Sequence, residues 1–131
     1  MKDYKFQILE DNDCLIACFT GEISSHGYSE FRNDYNEICR RLNDANSKRL
    51  VIDLTETDYF GSLFIGMIVK LSVTIRNQQG QLALCGLSDQ LQELMKKLLL
   101  LERESDSASR LKHLPTRQEA VNALRTVDSA M

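Results

Sequence analysis

The sequence predicts an α/β fold: a small mixed β-sheet, built from an N-terminal antiparallel hairpin plus parallel strands, that carries about four α-helices. Three observations predict it. Residues 4–9 alternate, with Tyr4, Phe6 and Ile8 apolar and Lys5 and Gln7 polar, the period-two signature of a half-buried strand. Leu50-Val51-Ile52-Asp53-Leu54 is a continuous apolar run between a helical pattern and a polar loop, as a central strand covered on both faces requires. Between the apolar runs, Phe31, Tyr35, Ile38 and Leu42 recur at spacings of four, three and four, which draws one apolar stripe along a helix.

The elements follow in order. After the first strand, Asp11-Asn12-Asp13 makes a turn, and residues 14–20 form the second arm of the hairpin, closed by Gly21. A helix runs from about Tyr28 to Asn46, and the central strand follows it. The loop Thr55-Glu56-Thr57-Asp58 leads to Tyr59-Phe60-Gly61-Ser62 and a helix from about Ser62 to Gln78, with Gly80 in the C-terminal glycine position. Residues 82–87 are the next strand. Ser88 and Asp89 then supply an N-cap and a first-turn acid for a helix carrying Leu91, Leu94, Met95 and Leu98. Residues 101–109 read as a surface loop, and Arg110 to Leu114 as a short edge strand. Thr116-Arg117-Gln118-Glu119 is a capping box that opens a final helix with Ala120, Val121 and Leu124 on one face. A helical crossover between the third and fourth strands implies that they pair in parallel.

Composition bounds the function. The 131 residues hold 16 Lys plus Arg against 19 Asp plus Glu, a net charge of −3, and this length suits one domain, 1–131, with its own core. An acidic chain without a basic face is a poor phosphate-backbone binder, so no nucleic-acid partner is expected. Arg40-Arg41 and Lys96-Lys97 read as solvated helix faces. The longest apolar run, Leu98 to Leu101, is far short of the ~20 residues that cross a bilayer. The charged opening Met1-Lys2-Asp3-Tyr4-Lys5 lacks a secretory pattern, so the expected location is the cytoplasm. Cys14 and Cys18, four strand steps or about 13 Å apart, exceed the span of a disulfide. Buried free thiols are expected at Cys14, Cys18, Cys39 and Cys85, with no metal site and no cofactor.

Ser62 stands where a strand-to-helix loop enters a helix, the place where α/β sheets gather functional groups. Its hydroxyl suits a helix cap. On that helix Phe64, Met67, Ile68, Leu71 and Ile75 make the stripe that seats it on the sheet. Ile65, Val69 and Val73 lie roughly 100° to 180° away, alongside Gly66. Either a neighbouring helix covers this second stripe or another protein meets it. Catalysis is not expected: the Gly-x-Ser-x-Gly spacing is absent around Ser62, neither His26 nor His113 lies in a site-like segment, and Asp53 and Asp58 have no partner at informative spacing.

Val51-Ile52-Asp53-Leu54, seven further residues, Ser62 and then Gly66 resemble the signature of the STAS domain, the sulfate-transporter and anti-sigma-factor-antagonist family. Thr20-Gly21-Glu22-Ile23 resembles the family's Thr-Gly-Glu-Leu-Asp. Gly80-Gln81-Leu82-Ala83-Leu84-Cys85-Gly86-Leu87-Ser88 resembles its Gly-Gly-x-Leu-x-Leu-x-x-Leu-Ser run. The resemblance extends in order over nearly the whole chain. It implies an anti-sigma factor antagonist, a bacterial module that captures an anti-sigma factor that is also a serine kinase and is switched by phosphorylation at the position of Ser62. It places the partner-binding surface at Ser24, Tyr59, Gly61, Leu63, Ile65, Gly66, Val69 and Val73. Gly61 and Ser24 stand where relatives carry acids, which favours an alternative: an adaptor that binds another protein, such as a transporter component, without phosphorylation.

Overall fold

The computed structural model describes residues 5–11, 13–21, 28–57, 62–97 and 111–129, with the side chains of 5, 28, 62 and 125–129 set aside. The elements run β1 (Lys5–Asp11), β2 (Cys14–Thr20), α1 (Tyr28–Asp44), β3 (Arg49–Asp53), α2 (Ser62–Asn77), β4 (Gln81–Cys85), α3 (Asp89–Lys97), β5 (Lys112–Leu114) and α4 (Arg117–Ser129). This is the order the sequence predicts. The five strands lie in chain order, β1-β2-β3-β4-β5. β1 pairs antiparallel with β2, and Asp11 faces Cys14 across the hairpin turn. Every later pairing is parallel, with Cys18, Asp53 and Cys85 side by side and Cys85 opposite Leu114. The expected surface loop at 101–109 lies outside the described residues.

Alternation along the strands gives the sheet two different faces. Leu15, Ala17, Phe19, Leu50, Ile52 and Leu84 point to the layer that holds α1, α2 and α3, whose Phe31, Ile38, Phe64, Ile68, Leu71 and Met95 complete the main core. Phe19 ties this core together: its ring lies 4.9 Å from Phe6 and 5.0 Å from Phe64. The other face carries Cys14, Ile16, Cys18, Val51, Ala83 and Cys85, and α4 covers it with Ala120, Val121 and Leu124.

Helix ends follow the predicted chemistry with one exception. Ser88 Oγ accepts from the Leu91 amide at 3.2 Å, and Thr116 Oγ1 accepts from the Glu119 amide at 3.2 Å, so both N-caps form. The C-terminus of α2 departs from expectation. Gln79, not Gly80, takes the left-handed conformation, with φ 63°, and the Gly80 amide donates to the Ile75 carbonyl at 2.8 Å. Gly80 is required for space, because a Cβ there would collide with the Lys48 carbonyl oxygen. Of the four thiols, Cys14, Cys18 and Cys85 are buried as expected; Cys39, on α1, is only half-buried.

Candidate functional site

Parallel pairing brings the ends of β2, β3 and β4 to one edge of the sheet, from which the connection to α2 departs. That connection is pinned at its start. The Leu54 amide donates to the Cys85 carbonyl at 2.9 Å, Thr57 Oγ1 donates to the Phe19 carbonyl at 2.7 Å, and Gly21 bridges Thr57. Gly86, at φ +77°, passes so close to Thr55 that a Cβ would lie 2.7 Å from its backbone nitrogen. Only glycine fits both that conformation and that approach.

Beneath the connection sits a buried acid. Asp53 is 6 % exposed and accepts from the Thr55 amide at 3.0 Å and the Thr55 hydroxyl at 2.6 Å. From α4, Arg117 Nε donates to its other carboxylate oxygen at 2.8 Å, and a second guanidinium nitrogen donates to Cys18 Sγ at 3.3 Å. Burial pushes the Asp53 carboxyl up, but the Thr55 and Arg117 hydrogen bonds outweigh it and hold the group below its ordinary value. Burial raises the Cys18 thiol despite the nearby guanidinium. Burial, with the Asp53 charge, pushes Cys85 up to about 12. Both thiols therefore stay protonated at neutral pH and act as packing groups, not nucleophiles. Asp53 thus has no partner at a spacing that the sequence could signal, but it has one in the fold. Its partner lies 64 residues away, and no local spacing signals it.

Ser62 is the first residue of α2. Ser24, Tyr59 and Gly61 lie outside the described residues, as does Asp58. The first apolar stripe of α2 is buried as predicted: Phe64, Ile68 and Leu71 are fully enclosed, and Met67 and Ile75 nearly so. The second stripe divides. Ile65 is 9 % exposed and belongs to the main core, which removes it from the expected partner-binding surface and leaves it covered by the protein itself, the other alternative for this stripe. It lies about 60° around the helix axis from Ile68 and 20° from the buried Ser72, so the seating arc is wider than one stripe and takes Ile65 in. Val69 is half-buried, Gly66 is exposed, and Val73 is 44 % exposed. Leu63, 49 % exposed, joins them. The uncovered face of α2 therefore runs through Leu63, Gly66 and Val73. α1 flanks the helix: Tyr35 and Thr74 share a hydroxyl–hydroxyl hydrogen bond at 2.7 Å.

His113 is a positioning group at the sheet edge. Its Nε2 accepts from the Leu87 amide at 3.2 Å, and burial, aided by Lys96, pushes its pKa down. A neutral ring that accepts a structural hydrogen bond is engaged in joining β5 to the start of α3. Among the described residues no helix is long and apolar enough to cross a membrane.

A family model described as the STAS domain matches residues 5–119. A curated protein of Bordetella bronchiseptica, BtrV, described as a candidate anti-sigma factor antagonist, is 28 % identical over 82 residues, 63 % of this chain and 67 % of that protein. Among solved structures, a Moorella thermoacetica RsbS carrying a serine-to-glutamate change superposes with a TM-score of 0.74 at 12 % identity, covering 95 % of this chain and 98 % of that one. The Bacillus cell-fate determinant SpoIIAA, solved in its phosphorylated form, superposes with a TM-score of 0.63 at 15 % identity, covering 92 % of this chain and 100 % of that one. At these identities the superpositions establish the fold.

Proposed function

The chain belongs to the STAS domain family, and from that premise we propose that it is an anti-sigma factor antagonist: a protein-binding module, not an enzyme, that captures an anti-sigma factor/serine kinase and is released when Ser62 is phosphorylated. All 131 residues serve as one such domain in a bacterial cytoplasmic cascade. The observation that carries the reading is the start of α2. Ser62 opens the helix, and the positions that follow on its uncovered face, Leu63 and Gly66, are exposed. BtrV, a relative in sequence, and phosphorylated SpoIIAA, a relative in fold, support it.

The chemistry is local. A phosphoserine brings about −1.5 to −2 charges and three strong acceptor oxygens. At a helix N-terminus the dipole and the unpaired amides accommodate that charge without unfolding the domain. The seat of α2 is apolar and enclosed, so the added charge acts on what docks outside it. A partner that buries Leu63 must then desolvate a dianion beside it, and each ~1.4 kcal/mol of that cost is a tenfold loss of affinity.

The test combines the protein with its cognate kinase and ATP, with phosphate mapped by mass spectrometry. Ser62 is expected to gain the phosphate. Ser62→Asp is expected to weaken kinase capture by roughly tenfold or more, and Ser62→Ala to hold the capturing form. If wild type and Ser62→Ala respond alike to kinase and ATP, the reading fails. Phosphatase-independent capture of a non-kinase partner would replace it with the adaptor role.

A further inference from the structure

We propose that the groove between α1 and α2 is the docking cleft for a short acidic segment of the partner protein, anchored by a single bulky apolar side chain. This inference rests on α2 being the partner-binding helix and specifies what that helix recognises. The groove, open to solvent on one side, offers about 190 Å³. An apolar cavity of about 150 Å³ holds one benzene-sized group, so the cleft has room for one leucine or phenylalanine side chain. Phe31, Tyr35 and Met67 supply its apolar wall, and Leu63 stands at its lip. Gly66 opens it further: a Cβ there meets nothing within 4 Å.

The charges select the occupant. Among the described residues, the charged side chains that line the groove are Arg32 and Lys70, both cationic. Lys70 Nζ stands 4.7 Å over the centroid of the Tyr35 ring. That ring is itself held through its hydroxyl to Thr74, so the cation is placed at the rim rather than free to sweep it. An apolar anchor flanked by carboxylates complements an apolar floor with a cationic rim, and a basic segment is repelled by it. The same geometry gives phosphorylation its leverage. Ser62 and Gly66 are one turn apart on the helix, about 6 Å, so a phosphate on Ser62 sets negative charge beside the mouth of a cleft built for an acidic guest.

The probes are two synthetic twelve-residue peptides, each with one central phenylalanine, one flanked by glutamates and the other by lysines. They are titrated into the full-length labelled protein and followed by NMR. The glutamate peptide is expected to shift the Gly66 and Lys70 amides and the Met67 methyl, and to bind roughly tenfold or more tightly than the lysine peptide. Gly66→Phe, which fills the cleft from an open position, is expected to abolish the shifts; Lys70→Glu is expected to reverse the preference. Equal binding of the two peptides, an unperturbed groove at millimolar peptide, or self-association of the free protein through these same residues would each overturn the proposal. Ser62→Asp separates this inference from the reading beneath it. If it weakens kinase capture while no peptide ever seats, the switch stands and the cleft falls. If the glutamate peptide seats and Ser62→Asp alters neither peptide binding nor kinase capture, the cleft stands and the phosphorylation switch falls.

Discussion

The two faces of the sheet are built on different principles. Toward α1, α2 and α3 the contacts are large and apolar, with Phe6, Phe19, Phe64 and Phe31 joined ring to ring in a chain. Toward α4 they are small, three of them cysteines, and that face also holds the Asp53–Arg117 ion pair. The large-residue face seats α2, whose outer side carries Leu63 and Val73, the exposed large hydrophobics among the described residues. On the α4 face, Arg117 reaches an acid at the end of the central strand. A site that must present a surface without changing shape is well served by the first arrangement. A helix that must be fixed at a definite register is served by the second, because a charge pair has one geometry where apolar contacts have many.

The sharpest way to break this comparison is to remove a large side chain from one face and a small one from the other. Phe64→Ala is expected to cost about 3–5 kcal/mol in urea unfolding, because the cavity sits under α2 and cannot collapse. Val121→Ala, two methylene equivalents on the α4 face, is expected to cost only about 1.5 kcal/mol. Equal losses would mean that the faces do not differ in the way described. Next in size, Asp53→Ala is expected to lose about 2 kcal/mol, because it strands Thr55 and Arg117 together. Arg117→Ala should lose a comparable amount, because it leaves the enclosed Asp53 carboxylate with only its Thr55 hydrogen bonds. No loss from Arg117→Ala would show that the ion pair does not hold α4 to the sheet.

Acid adds a milder perturbation with a definite sign. His113 has a folded pKa below its ordinary 6.5, so its contribution is present above that pH and is lost as the pH falls through it. Asp53, also lowered from its ordinary 3.8, keeps its contribution until the pH falls below that value. Chemical denaturation from pH 7 to pH 3 is expected to show two successive losses, and His113→Asn to remove the first. A single loss confined to the acid end in the wild type would contradict the role given to His113. Smaller still, Gly66→Ala is expected to stabilise α2 by about 0.5–1 kcal/mol, read as a higher Tm, because the added methyl meets open space. Least of all, Arg40→Ala should leave the urea unfolding midpoint essentially where it is, since Arg40, Glu37 and Asp44 pair in solvent.

Local pattern carried most of the fold. The alternation of β1, the apolar run of β3, the stripe of α2 and the caps at Ser88 and Thr116 each lie within a few residues of one another, so the order of the nine elements could be read directly from them. The candidate site was legible at one point only, the junction at Ser62, because a strand-to-helix loop has a sequence signature. Ile65 illustrates the limit. Its spacing with Val69 and Val73 suggests an outward stripe, yet the width of the buried arc is set by what packs beside α2, which the helix does not encode. Gln79 shows the same in miniature: Gly80 carried the expected signal, but the nearby Lys48 carbonyl put it to a different use.

By itself, the sequence determined which segments become strands and helices, their order, and the helix start at which Ser62 stands, since hydrophobic periodicity and capping act over a few residues. Only the tertiary structure decided that Asp53 meets Arg117, that α4 covers the cysteine face, and that α1 and α2 leave an apolar cleft rimmed by Arg32 and Lys70. Those facts depend on the spatial meeting of residues far apart in the chain, and folding brings them together through the sheet register and the packing of its two faces, neither of which a run of neighbouring residues specifies.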